Sequence, residues 1–443
     1  VANERPNVPS AKAKPSWSRR AFLGAAGAGV AMGAYRLPSL LGQLEERLQP
    51  WRPGPFGAMR PDSEGILDLP EGFTYQVIDR AGARMSDGLV VPQRPDGMAC
   101  FALPDGRWAL MRNHENPLGL PSFGPAPGGA LPRVAFDPRG AGGVTRVVLD
   151  PATLERVSGN LVLAGSILNC AGGTSPWGWL SCEESVEPGH GFVFVCDPSA
   201  SEAAAPRPVR GYGRFRHEAA VVDPRTSIAY LSEDREDSCF YRFVPHDPSD
   251  PFEGELQAMR VRGRPRMLTG RELSVGDRVE IDWVPVREPA PDDDVVRYRA
   301  VADGAAEVSR GEGLCLRDDG ERASVILSAS DGGPAQLGQV LELRPDGDGG
   351  ELVVLAGSSR IADFDMPDNI TVGPGGRIYF CEDGGGRDHV RGLDPRTGEV
   401  FDFARNALSD SEIAGVCFAP DGSTMFLSLQ EDAITLAVRG AFG

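Results

Sequence analysis

The sequence is nearly without lysine: the two it has, Lys12 and Lys14, both stand near its start. Any anion-binding cation in the body of the chain must therefore be an arginine, whose planar fork suits bidentate contact with phosphate. Histidine is scarce as well. The five present form no His-x-x-x-His pair, which excludes the helical zinc-hydrolase motifs. Eight cysteines (Cys100, Cys170, Cys182, Cys196, Cys239, Cys315, Cys381 and Cys417) include no Cys-x-x-Cys pair, so neither a thiol redox motif nor a disulfide-dense framework is indicated. Several of them sit in apolar strand patterns, as buried free thiols do. No apolar run reaches the roughly 18 residues of a membrane span. The net charge of -18 and a pI near 4.8 lack the basic face that nucleic acid requires.

Glycine and proline are plentiful, at 56 and 38 residues, with no collagen-like period, and helical periodicity is scarce beyond residue 50. Many short strands joined by tight turns are expected. The stretch "HEAAVVDPRTSIAYLSED", His217 to Asp234, reads as a β-hairpin turning at Asp223-Pro224-Arg225-Thr226. Its open end carries Glu218 on one strand and Glu233-Asp234 on the other. The same order of acid, strand, turn, strand and acid recurs from Asp96 to Glu115, Asn169 to Glu183-Glu184, Glu312 to Asp331, Asp368 to Glu382-Asp383, and Glu412 to Glu431-Asp432. Closing acids at 115, 183, 233, 331, 382 and 431 lie 68, 50, 98, 51 and 49 residues apart. A period near 50 matches propeller blades, and the double step holds a Pro- and charge-rich insertion at about 245–305, including "REPAPDDD". The expected fold is all-β, a six-bladed β-propeller with loop insertions over residues 60–443.

Radial blades can point the same ends of their hairpins at one channel. Carboxylates gathered there repel unless cations neutralise them, so bound cations are expected. Oxygen donors of this kind suit hard ions such as calcium. His217 beside Glu218 and His114 beside Glu115 are open to two readings, ligand or structural hydrogen-bonding residue. Cys170, in "NCAGG" at a hairpin mouth, differs from the other cysteines, because a thiolate there selects a softer, redox-capable metal such as iron.

Residues 1–45 read as a signal region and linker. "SWSRRAFLGAAGAGVAMGA" sets Arg19-Arg20 before Phe22-Leu23 and a mild run of small residues, which resembles a twin-arginine export signal. The twin-arginine export machinery is thus an expected partner, with a periplasmic or extracellular destination. Because that route carries folded proteins, a metal acquired before export is implied.

Four stretches, "NCAGGTSPWGWLSCEE", "GRFRHEAAVVDPRTSIAYLSEDRED", "ADFDMPDNITVGPGGRIYFCEDG" and "EIAGVCFAPDGSTMFLSLQ", together with the leader, resemble the PhoX-type alkaline phosphatases over about residues 65–435. The resemblance implies a six-bladed propeller, exported to hydrolyse phosphate monoesters with iron and calcium at the end of its channel. Carried over by position, it implies that Cys170, Glu218 and Glu312 hold iron. Glu184, Glu233, Asp368 and Glu382 then lie in the metal shell with calcium among their partners. Arg310, in "SRGEGL", matches the arginine that contacts substrate phosphate. The segment Trp177-Gly178-Trp179 is one residue shorter than the family pattern, and the chain is compact for the family. The competing functions are a calcium-dependent propeller lactonase or phosphotriesterase, and a noncatalytic calcium-stabilised binding propeller. An iron requirement separates the first from the phosphatase, and Arg310 separates the second.

Overall fold

The computed structural model describes residues 52–119, 131–318, 320 and 322–443, so the twin-arginine region lies outside the described residues. The fold is all-β and propeller-like, with helix confined to short segments such as Thr269–Glu272 and Val296–Ala302. The described strands form five antiparallel sheets of six, three, nine, four and four strands.

Each predicted hairpin is present, and each opens on a strand whose small and apolar residues are almost entirely buried. These opening strands are Pro95–Ala102, Asn169–Ser175, His217–Val222, Gly311–Asp318, Pro367–Val372 and Ile413–Phe418. They neighbour one another in chain order, and the last returns to the first, so they close a ring. A cavity of about 300 Å³ runs inside it, lined by residues such as Gly97, Gly173, Gly313, Asn369 and Gly415. The turn read at Asp223 is confirmed: the amides of Thr226 and Ser227 both donate to the Asp223 carbonyl, at 3.2 and 2.9 Å.

The stretch read as an insertion is more ordered than its composition suggests. It holds the strand Asp250–Val261 and the strand Arg278–Pro285, which pairs with Asp250–Val261 on one side and Gly349–Gly357 on the other. That shared strand joins two hairpin series into the nine-stranded sheet. Alternation explains it: Leu256, Ala258 and Val284 bury one face, and Met259, Val261 and Ile281 the opposite one, between the charged residues around them.

Ring closure is made by an early strand. Thr74–Arg80 pairs with Ile434–Arg439 as the outer strand of the last sheet, while Leu67–Pro70 pairs with Glu399–Asn406 in the sheet before it. Between them Phe73 packs edge-on against Phe403 and Phe442, with ring centroids 5.2 and 5.0 Å apart. Asp79 on this strand forms a buried ion pair with Arg112 of the first sheet at 2.5 Å. One segment therefore binds the first, fifth and last hairpin series together.

Candidate metal centre

Every opening strand begins with a break in register. Pairing skips from Pro95 to Met98, Asn169 to Gly172, His217 to Ala220, Gly311 to Leu314, Pro367 to Ile370, and Ala414 to Cys417. A bulge bends a strand and re-aims a side chain that the pleat would otherwise turn away. In the first five cases the first skipped residue is a donor: Asp96, Cys170, Glu218, Glu312 or Asp368. The last strand skips Gly415 and Val416 instead, and its acid, Glu412, stands ahead of the strand. A small residue follows most of these donors because neighbouring backbones nearly touch. A Cβ on Gly313, for example, would lie 2.8 Å from the Asp368 carbonyl oxygen.

The closing strands sort their acid pairs by alternation. In each pair, the residue facing the opening strand turns back into its own sheet. Glu183 accepts from the Gly191 amide at 2.9 Å and contacts His190 at 2.8 Å. Glu233 accepts from the Tyr241 hydroxyl at 2.7 Å and lies 3.4 Å from Arg297. Glu382 accepts from Arg391 at 2.9 Å and contacts His389 at 3.1 Å. The next residue turns the other way, as Glu115, Glu184, Asp234 and Gln430 do.

Two groups of three donors result. Glu115, Cys170 and Glu184 form one, and Glu218, Glu312 and Asp368 the other; within each group the donor atoms lie within 4.8 Å of one another. The groups adjoin: the Ala171 amide, next to Cys170, donates to Glu218 Oε1 at 3.3 Å. Asp96 lies beside the first group, its carboxylate 3.8 Å from Cys170 Sγ. Burial raises the affinity of Glu218 for its proton well above the usual carboxylate range, and the charges of Asp368 and Glu312 add to this. Glu312 and Asp368 move the same way, chiefly through burial. Burial and Glu115 push Asp96 up to about 7, and burial outweighs Arg216 to push Glu184 up to about 8. The Cys170 thiol is likewise raised by burial and by Asp96 and Glu218. A cation among these groups reverses both causes, favouring carboxylate and thiolate.

The residues fit such cations. Asp96, Glu115, Glu184, Glu218, Asp234, Glu312 and Asp368 outnumber the guanidiniums beside them, those of Arg94, Arg216 and Arg310. Gln430 donates from Nε2 to Asp96 at 2.6 Å and to Glu115 at 3.1 Å, while its buried Oε1 has no hydrogen-bond partner among the described residues. Oxygen donors with one sulfur suit a mixed set of hard and softer ions.

Arg310 stands beside the second group. Its backbone adopts a left-handed φ of 50°, a conformation that costs a non-glycine residue about 1–3 kcal/mol and recurs at functional sites. Its amide donates to the Arg235 carbonyl at 2.8 Å, and its carbonyl accepts from Ser330 at 3.1 Å. Its guanidinium grips Asp234 through Nε at 2.7 Å and Nη2 at 2.9 Å, with Glu312 3.0 Å from Nη2.

The profile of the family described as "Alkaline phosphatase PhoX" matches residues 54–150 and 151–432. The chain belongs to the PhoX alkaline phosphatase family. Membership places it among the phosphoric monoester hydrolases. Among solved structures it is similar to Pseudomonas fluorescens PhoX in complex with vanadate, a transition state analogue. The two share 18% identity over 89% of this chain and 98% of that one, with a TM-score of 0.67. A gluconolactonase of Xanthomonas campestris matches more distantly, with 11% identity over 88% of this chain and 99% of that one and a TM-score of 0.44. None of the curated proteins matches the chain in sequence.

Of the residues that the family resemblance singled out, Cys170 and Glu184 fall in the first donor group, and Glu218, Glu312 and Asp368 in the second. Arg310 links the second group to Asp234. Glu233 and Glu382 belong to neither group and sit in the hydrogen-bond networks behind them. Asp96, Glu115 and Asp234 ended predicted hairpins without being given a role. The available signal was a donor followed by a small residue, as in Asp96-Gly97, Cys170-Ala171 and Glu312-Gly313. Neither histidine joins a donor group: His114 contacts the Gln93 carbonyl at 3.0 Å and Thr145 Oγ1 at 2.8 Å, and His217 Nε2 contacts the Gly213 carbonyl at 3.2 Å.

Proposed function

We propose that this chain is an exported phosphatase that hydrolyses phosphate monoesters at an iron and calcium centre in the central channel of a six-bladed propeller. The observation that carries the reading is the adjacency of two three-donor groups with Arg310 beside them. Such a site can hold several cations and an oxyanion together. For the blade count, the nine-stranded sheet is read as two blades sharing the strand Arg278–Pro285. Vanadate in the P. fluorescens protein supports phosphoryl transfer as the chemistry.

In this reading Cys170, Glu218 and Glu312 hold iron, and Glu184 and Asp368, with Asp96 and Glu115, face calcium. Glu233 and Glu382 stand behind the metal shell and fix Asp234 and Asp383. When bound, the cations neutralise charge on the phosphate oxygens and lower the barrier to in-line attack. Arg310 binds and orients the phosphoryl group, and its charge-assisted hydrogen bonds count for more because the site is walled off from water. Arg19-Arg20 supports export through the twin-arginine route with the metals already in place.

Elemental analysis of protein purified without added metal, paired with hydrolysis of p-nitrophenyl phosphate, tests the proposal. Iron with calcium and chelator-sensitive hydrolysis are expected. Calcium alone, with lactone hydrolysis in place of phosphatase activity, would overturn it.

A further inference from the structure

The hydrogen bonds of Arg310 are unevenly distributed. Asp234 occupies the edge formed by Nε and Nη2, and Glu312 lies against Nη2 as well. Among the described residues Nη1 has no protein partner. The guanidinium is held along the Nε–Nη2 side, and the charges of Asp383 and Asp368 also act on it.

Asp234 is itself held from several directions. Its amide donates to the Arg216 carbonyl at 3.2 Å. Its carboxylate lies beside that of Glu184 and is attracted by the Arg216 guanidinium, which pairs with Glu184. The preceding residue, Glu233, is anchored by Tyr241 and Arg297, so the strand end cannot rotate freely. Asp234 therefore touches both donor groups indirectly: Glu184 belongs to one, and Arg310 leads to Glu312 of the other.

We propose that Asp234 is a positioning residue that locks the guanidinium of Arg310 so that Nη1 faces the phosphoryl group of a phosphate monoester. The inference rests on the phosphatase reading above and adds a residue to it. An arginine side chain has several rotatable bonds, and fixing one edge in advance removes the entropy cost of ordering it when substrate arrives. The contact it aims is made to bound phosphate and transition state alike, so its loss weakens binding more than turnover.

Asp234→Asn keeps the side chain's size and removes the charge-assisted grip. The KM for p-nitrophenyl phosphate and the inhibition constant of inorganic phosphate should rise together by about tenfold, the scale of one hydrogen bond to a charged group. The change in kcat should be smaller, and iron and calcium content should match wild type. Asp234→Glu, which retains the charge, should recover part of the loss. In an Arg310→Lys background, Asp234→Asn should add little, because the two residues act as a unit. A lowered KM would show that Asp234 competes with substrate and would overturn the proposal. Loss of metal from Asp234→Asn would overturn it too, by making Asp234 a ligand. If wild type hydrolyses phosphate monoesters and both Asp234 variants equal it, the role of Asp234 falls while the phosphatase reading stands. If wild type neither hydrolyses them nor binds inorganic phosphate, both fall.

Discussion

Gly97 and Ala171, the residues after Asp96 and Cys170, lie backbone to backbone: a Cβ added to Gly97 would stand 2.7 Å from the Ala171 carbonyl group. The spacing of two neighbouring donors is thus set by main-chain contact and not by side-chain reach.

Gly97→Ala should force the first and second opening strands apart. Overpacking of this kind costs about 1–3 kcal/mol. Because the displaced strands carry Asp96 and Cys170, a lower melting temperature should be accompanied by lower metal content in the protein that still folds. Calorimetry and elemental analysis of the same preparation check this.

Cys170→Ser should leave a folded protein with most of its iron gone, since an alcohol rarely ionises to replace a thiolate. Calcium content should fall less. Wild-type iron and turnover in this variant would return Cys170 to the class of inert buried thiols.

Glu218→Gln and Glu382→Gln should part company. The first removes a charge from a donor group and should lower metal content and turnover. The second breaks a buried pair with Arg391, a change that typically costs about 3–5 kcal/mol. For Glu382, burial pushes the carboxyl group up, but Arg391 and His389 outweigh it and hold it at about 2, below its ordinary value of 4.5. A depressed carboxylate contributes stability that is complete above the ordinary value and is lost as pH falls through the depressed one. The stability gap between wild type and Glu382→Gln should therefore be full at pH 7 and narrow as pH falls from about 4.5 toward 2. Urea unfolding across that range measures it.

Asp79→Asn should weaken ring closure, because it leaves the buried Arg112 guanidinium without its charged partner. A loss of about 3–5 kcal/mol is expected. The KM of the folded variant should match wild type, since Asp79 lies in the closing strand outside both donor groups.

Replacing Arg19 and Arg20 together by lysine should trap the protein in the cytoplasm. Cell fractionation with an activity assay reads the result, and normal export would refute the twin-arginine reading.

The hairpins were legible because each carries its own turn and its own apolar alternation. Which acid of each closing pair faces the channel was not. Glu233 and Asp234 are adjacent in sequence, but a strand sends neighbours to opposite faces, and a shift of one residue exchanges them. Only the pairing of His217 with Glu233 fixes the choice, turning Glu233 toward Tyr241 and Asp234 toward Arg310. The opening strands hid their donors in another way. A bulge is a departure from the ladder that apolar alternation cannot reveal, and Asp96, Glu218 and Asp368 all occupy one. The strand Arg278–Pro285 was hidden by the proline and charge just beyond it.

The pairing of Thr74–Arg80 with Ile434–Arg439 sets an order of events during synthesis. An emerging chain holds its closing strand idle until more than three hundred further residues have been made, because the edge that receives it, Ile434–Arg439, lies that far along the sequence. Contacts so distant in sequence form slowly. Since the ring contains donors from hairpins along its whole length, ion capture is tied to synthesis of the strand Ile434–Arg439. A ribosome-stalled chain ending before residue 434 should carry most of its sheets and still fail to retain its metals.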